Sequence, residues 1–148
     1  MAISQAMCTL FKKDLLLGDH HLDTDDIRIA LYTSSASLSA ATDGYTTSNE
    51  ITNSSGSAYT AGGKQLTSVT VTENSTSGVF DAADPEWTSA TFTANGALIY
   101  NKTLGAASSN SRGAIAVLAF GGDFTVSGGT FKIVFPAATA SNAIVRID

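Results

Sequence analysis

The chain predicts an all-β domain, a β-sandwich of jelly-roll type with a short N-terminal α-helix and long loops rich in Ser, Thr and Gly. Three observations lead there. Short apolar runs recur along the sequence, at residues 27–32, 114–120 and 130–135 among others. Turn residues separate such runs at intervals of roughly 8–14 residues, which favours a sandwich over a parallel α/β sheet. Ser, Thr, Ala and Gly make up about half of the chain, far above their share in an average domain. No repeat of fixed period is visible, which argues against a propeller or solenoid. The 148 residues fit a single domain, 1–148, and 43% hydrophobic residues suffice for a core.

The opening segment, 1–18, reads as the helix. Ile3, Met7, Leu10, Phe11 and Leu15 recur at helical spacing, Ser4 is placed to cap the start, and Gly18 to stop it. Lys12 and Lys13 are expected near its C-terminus, where the helix dipole favours cations. The apolar stripe must bury against the domain's own sheet or a neighbour. Next, residues 27–32 alternate, with Ile27, Ile29 and Leu31 on one face. Residues 33–63 form a long polar excursion with Tyr45, Ile51 and Tyr59 as anchors; a short strand is expected at 45–51, and the excursion is expected to extend outward from the core. A loop of this length in a compact domain is uncommon unless it has a function.

Further strands are expected at 65–72, 91–100, 114–120, 130–135 and 143–147. Asn95-Gly96 interrupts the apolar parity of the second, which signals a bulge. Residues 114–120 are apolar on both parities and read as a central strand covered on both faces. Gly121-Gly122 and Gly128-Gly129 punctuate a tight meander, and Pro136 ends the last long run. The expected core comprises Ile29, Leu31, Val69, Phe92, Leu98, Val117, Leu118, Phe131, Ile133, Phe135 and Val145.

Charged residues are 14% of the chain, against about 25% in an ordinary domain. A surface so poor in charge has little protection against association and is expected to be covered, by a partner or by copies of the chain itself. Met7, Leu10 and Phe11 on the helix, with Tyr45 and Tyr59 in the long excursion, are the candidate partner-interface residues. The net charge is −5, and the basic residues are scattered, so a nucleic-acid partner is not expected. Cys8 is the single cysteine, so no intrachain disulfide forms. The N-terminus does not read as a signal peptide, and no apolar stretch approaches the roughly 18 residues of a membrane span. The sequons at Asn53, Asn74 and Asn101 read as by-products of a Ser/Thr-rich composition.

Acid, base and nucleophile residues do not fall at the spacings that chemistry requires. Residues 18–26 gather His20, His21, Asp19, Asp23, Asp25 and Asp26, yet the calcium-loop pattern begun at Asp23 is broken and no further His is available for zinc. A solvated turn is the expected state, with no metal. Residues 58–65 resemble a phosphate loop only superficially, because Ala58 and Gln65 stand where Gly and Ser/Thr are needed. No Gly-x-Ser-x-Gly elbow occurs. The spacing of Asp81, Asp84, Glu86 and Asp123 leaves them free to converge for paired acid–base work, yet Asp84-Pro85-Glu86 has the chemistry of a surface turn. Trp87, Tyr100, Tyr59 and Tyr45 are expected as packing residues, with a sugar-stacking platform as the alternative. No catalytic residue and no cofactor is expected, and the chain does not read as an enzyme.

Several segments together resemble a small structural protein of tailed-bacteriophage virions. They are Phe11-Lys12-Lys13-Asp14-Leu15-Leu16-Leu17-Gly18, Ile29-Ala30-Leu31-Tyr32-Thr33-Ser34-Ser35-Ala36 and Tyr59-Thr60-Ala61-Gly62-Gly63-Lys64. Further on come Trp87-Thr88-Ser89-Ala90-Thr91-Phe92-Thr93-Ala94-Asn95-Gly96-Ala97-Leu98-Ile99-Tyr100-Asn101, Ala116-Val117-Leu118-Ala119-Phe120-Gly121-Gly122-Asp123 and Gly129-Thr130-Phe131-Lys132-Ile133-Val134-Phe135-Pro136. The resemblance implies a capsid decoration (cement) protein, made in the host cytoplasm and carried on the virion. It implies the major capsid protein as partner and a homotrimer as the assembled form. Its mechanism would be mass action, since a protein that binds only the assembled lattice stabilises that lattice. The competing reading is a phage tail or host- and carbohydrate-binding β-sandwich module.

Overall fold

The computed structural model describes residues 2–105 and 109–148, with side chains described for all of these except 109–111. Along the chain run β1 (Ala6–Met7), α1 (Thr9–Leu17), β2 (Ile27–Tyr32), β3 (Gly44–Thr46), β4 (Lys64–Gln65), β5 (Thr70–Asn74), β6 (Ser77–Asp81), β7 (Glu86–Asn101), β8 (Ser109–Lys132) and β9 (Val145–Ile147). The protein is mostly β with one short helix, and the strands form two open sheets. The larger has the order β1-β8-β7-β2-β4 with β3 added on β8, and the smaller is β5-β6-β9.

The frame is an antiparallel ribbon of β7 and β8, paired from Glu86↔Lys132 to Tyr100↔Ala114. A meander was the expectation for this stretch, yet β8 runs through both glycine pairs without turning. Gly121 (φ 80°) and Gly128 (φ 66°) adopt the left-handed conformation. The register slips at each: Ala94 pairs with Phe124 but Gly96 with Ala119, and Ala90 pairs with Gly129 but Thr91 with Ser127. A positive φ serves a bulge as readily as a turn. The expected strands 114–120 and 130–135 are therefore parts of one strand, which stops at Lys132. Beyond it, Ile133 N–H bonds to Pro85 O and Phe135 N–H to Asp84 Oδ1, so the chain leaves the ladder well before Pro136. The bulge expected at Asn95-Gly96 is present.

Ala114, Ile115, Ala116 and Val117 are all buried, as a strand covered on both faces requires. The strand β2, paired to β7 on one side and β4 on the other, is likewise buried on both faces, Ala30 and Tyr32 included. The stretch 65–72 splits into β4 and β5, with Ser68 at φ 50° between them. The strand β6 has only Val79 and Phe80 as its apolar signal and was not anticipated.

The N-terminal helix is shorter than its periodicity suggests. Ser4 does not cap it: Ser4 N–H bonds to Leu38 O, Cys8 N–H to Ile115 O, and Ala6 and Met7 pair with Val117 and Ala116. Sheet pairing of these backbone groups outweighs helical periodicity, and α1 starts at Thr9 with no side-chain cap. Lys12 and Lys13 fall in mid-helix. Gly18 ends the helix as expected, at φ 78° with its N–H on Leu15 O. Phe11 is buried, whereas Leu16 and Leu17 are exposed.

Of the expected core, Ile29, Leu31, Leu98, Val117, Phe92, Phe135 and Val145 are buried. Val69, Leu118, Phe131 and Ile133 only pack against its margin. For Leu118 and Phe131, on β8, the reason lies in the ribbon's neighbours. β1 reaches β8 only at Ala116 and Val117, and β3 only up to Gly113. Among the described residues no strand joins the outer edge of β8 from Leu118 to Lys132.

Candidate functional site

The polar excursion 33–63 is joined to the sheet by β3 on β8 and by Ile51 N–H on Leu31 O, and within it one buried acid, Glu50, gathers three donors. Tyr59 donates its hydroxyl to Glu50 Oε1 at 2.6 Å, Tyr45 donates to Oε2 at 2.7 Å, and Gly62 N–H donates to Oε1 at 2.8 Å. Tyr59 Oη in turn accepts Leu31 N–H from β2. Tyr100 of β7 donates to Gly62 O and stacks on Tyr45 with ring centroids 4.8 Å apart. Tyr32 donates to Thr46 O. No cation pairs with Glu50 among the described residues, so hydrogen bonds alone hold the carboxylate.

This network corrects the expected interface. Phe11, Tyr45 and Tyr59 are 0%, 5% and 1% exposed, inside the chain's own core, and offer a partner no side-chain surface. Met7 and Leu10 are half-buried. Trp87 and Tyr100 are buried too, so these rings form no sugar-stacking platform. Trp87 instead packs against Tyr59, Phe92 and Phe131, with Lys64 Nζ 5.2 Å from its centroid. An apolar anchor and an interface residue look alike in sequence, and the length of the excursion concealed that it folds back.

Burial, reinforced by the charge of Glu50, pushes the Tyr32, Tyr45 and Tyr59 phenols above their ordinary range. Burial also raises Tyr100, to about 12, against the opposing charge of Arg28. These are all 4 tyrosines of the chain. The unfolded chain releases their protons from about pH 10 and the folded one does not, so their stabilisation is complete below that pH and declines above it. Alkaline titration followed at 295 nm is therefore expected to show phenolate only as far-UV circular dichroism is lost. A phenolate signal near pH 10 in the folded protein would contradict the burial.

The other sequence candidates are occupied structurally. In residues 58–65, Gly62 N–H is taken by Glu50 and Gly63 N–H by Thr60 O, leaving neither for an anion, and Lys64 Nζ donates to Glu86 O. Asp84 accepts Phe135 N–H, and Asp123 accepts from Asn95. In the 18–26 loop, Asp25 accepts His21 N–H and an Asn101 hydrogen. Among the described residues no group of three or more His, Cys, Asp and Glu is placed to hold a metal ion, and no helix is long and apolar enough to cross a membrane. Burial pushes the Cys8 thiol up to about 12.

What the structure leaves open is an apolar face along β8. A groove of about 440 Å³ is lined by Phe120, Phe124, Val126, Phe131, Ile133 and Val134 with flanking Thr and Lys residues. Phe124 is 53% and Val134 73% exposed. Phe124, Val126 and Phe131 pair with Ala94, Phe92 and Trp87 of β7 and so share the ribbon's core-side face. Tyr59 packs on Trp87 and Phe92, whereas on the β8 half of that face Phe124 is left exposed. Sequence reasoning placed Phe131 and Ile133 in the core because apolar parity is the same on a covered face and an uncovered one. No family model, curated protein or solved structure matches the chain.

Proposed function

We propose that this protein is a structural component of a tailed-phage virion that decorates the capsid and stabilises it by bridging major capsid protein subunits. The observation that carries this reading is the uncovered apolar face of β8 on a weakly charged β-domain. The segment resemblances at residues 11–18, 29–36, 87–101 and 129–136 supply the virion context. In this reading the two sheets pack as a jelly-roll-like sandwich, the assembled form is a homotrimer on the capsid surface, and no catalytic role or cofactor is involved. The contact residues become Phe124, Ile133 and Val134 in place of Phe11, Tyr45 and Tyr59.

Copy number per purified particle tests it, by quantitative mass spectrometry against the major capsid protein. Hundreds of copies are expected, with Phe124→Asp lowering occupancy while the free protein stays folded. Particles lacking the protein are expected to assemble but to lose genome at lower temperature. A handful of copies, with robust particles that fail to adsorb to cells, would establish a tail module instead.

A further inference from the structure

Asn101 is fully buried at the end of β7, and its amide has one possible orientation. Its Oδ1 accepts Thr103 N–H at 3.0 Å, which turns Nδ2 toward Asp25 Oδ2 at 2.6 Å and His20 Nδ1 at 3.1 Å. An amide NH2 carries two hydrogens and accepts nothing, so the carboxylate and the imidazole nitrogen each receive one. Nδ1 of His20 is therefore an acceptor, and the neutral ring carries its own hydrogen on Nε2. That atom is buried, and among the described residues neither it nor Asp14 Oδ2 beside the same loop has a hydrogen-bond partner.

Every element around His20 contributes to its environment. From α1 come the Phe11 ring, edge-on at 4.8 Å, and the Asp14 carboxylate. The loop contributes Asp19 and Asp25. Arg112 reaches in from β8, 2.7 Å from Asp19 and 3.8 Å from Asp14. Burial is the largest influence and holds the imidazole below its ordinary range. Asp14 and Asp25 oppose it, and Arg112 adds to it.

We propose that His20 and Asn101 form a proton-operated latch between the 18–26 loop and the end of β7, closed while His20 is neutral and opened by a proton on Nδ1. A protonated Nδ1 is a donor facing a donor. Relief requires the Asn101 amide to turn, and turning breaks both its bond from Thr103 N–H and its bond to Asp25. The adjoining contacts, Asp26 N–H to Thr103 Oγ1 at 2.9 Å and Lys102 N–H to Asp26 O at 2.8 Å, then lose their anchor. The proton comes from solvent and no other covalent bond changes. Because the folded ring binds the proton less readily than the unfolded one, the closed latch is fully stable above about pH 6.5 and weakens as pH falls below it.

Nitrogen-15 NMR of the imidazoles, with amide hydrogen exchange, tests the latch on the whole chain. The expected tautomer at pH 7.5 carries hydrogen on Nε2 of His20, with exposed His21 as internal reference. As pH falls below about 6.5, the opening equilibrium of the Asp26, Lys102 and Thr103 amides should rise by up to about tenfold per pH unit. The Leu98 and Ile99 amides should stay protected. His20→Gln keeps an acceptor toward Asn101 but cannot titrate, so its opening should be independent of pH. Hydrogen on Nδ1, or opening that rises equally at Leu98 and Ile99, overturns the proposal, as does acid-driven opening that persists in His20→Gln. Should that variant fail to fold, the wild-type tautomer and exchange profile decide alone.

Discussion

Glu50→Ala is expected to destabilise the protein by about 4 kcal/mol, because the substitution orphans two buried donors and a part-buried one at once. The Tyr45 and Tyr59 hydroxyls and Gly62 N–H all converge on this carboxylate. Each hydrogen bond to a charged group contributes about 1.5–3 kcal/mol, and a buried donor left without a partner costs about 1–3 kcal/mol. Relaxation of the loop recovers part of that sum. Glu50→Gln retains one acceptor oxygen but presents an NH2 to a donor, so it should lose about half as much. Urea denaturation with matched m-values measures both. A loss below about 1 kcal/mol for Glu50→Ala would mean that the excursion is held by its backbone pairing and apolar anchors without help from Glu50. A second sign is expected in the alkaline titration: without Glu50, Tyr45 and Tyr59 should ionise at lower pH.

The same residue marks the limit of what the sequence discloses. Apolar periodicity located β2, the buried centre of β8 and the bulge beside Gly96, because those features are set by neighbours close in sequence. Gly18 was legible as a helix stop for the same reason. Ala6 and Met7 were not legible as a strand, since their partners Val117 and Ala116 lie more than a hundred residues away. Glu50 stands alone as an acid among Ser, Thr and Asn, which reads as solvated polarity. Its three donors arrive from a nearby strand, from Tyr59 and from a glycine turn that only the folded excursion brings together. The nearest sequence signal is the pair of isolated tyrosines, which reads both as packing and as a partner surface; their burial bears out the packing. The β8 face is the opposite case: Phe131 and Ile133 have core spacing, yet they stay half-buried at the core's margin, where among the described residues no strand joins the outer edge of β8.

Gly63→Ala is expected to cost at least about 3 kcal/mol and to detach β4 from β2. Gly63 has φ 76°, where an L side chain is strained by about 1–2 kcal/mol. Its position is also crowded by backbone: a Cβ there would lie 2.6 Å from the Ile29 carbonyl carbon and 2.8 Å from Ala30 Cα, and closer still to Ile29 O. Backbone at Ile29 and Ala30, both fully buried, cannot rotate aside as a side chain can. Gly56→Ala provides the control. Gly56 has a similar φ of 82°, yet a Cβ there meets nothing within 4 Å, so it should cost only the conformational strain. The difference between the two variants isolates the close approach of the excursion to β2, and equal losses would show that the approach is not what requires glycine. Gly62 next door carries both the N–H held by Glu50 and the carbonyl held by Tyr100. Moving residue 63 off Ile29 therefore also pulls Gly62 from Glu50. Gly63→Ala and Glu50→Ala should accordingly combine to less than the sum of their separate losses, because the first substitution already breaks part of what the second removes.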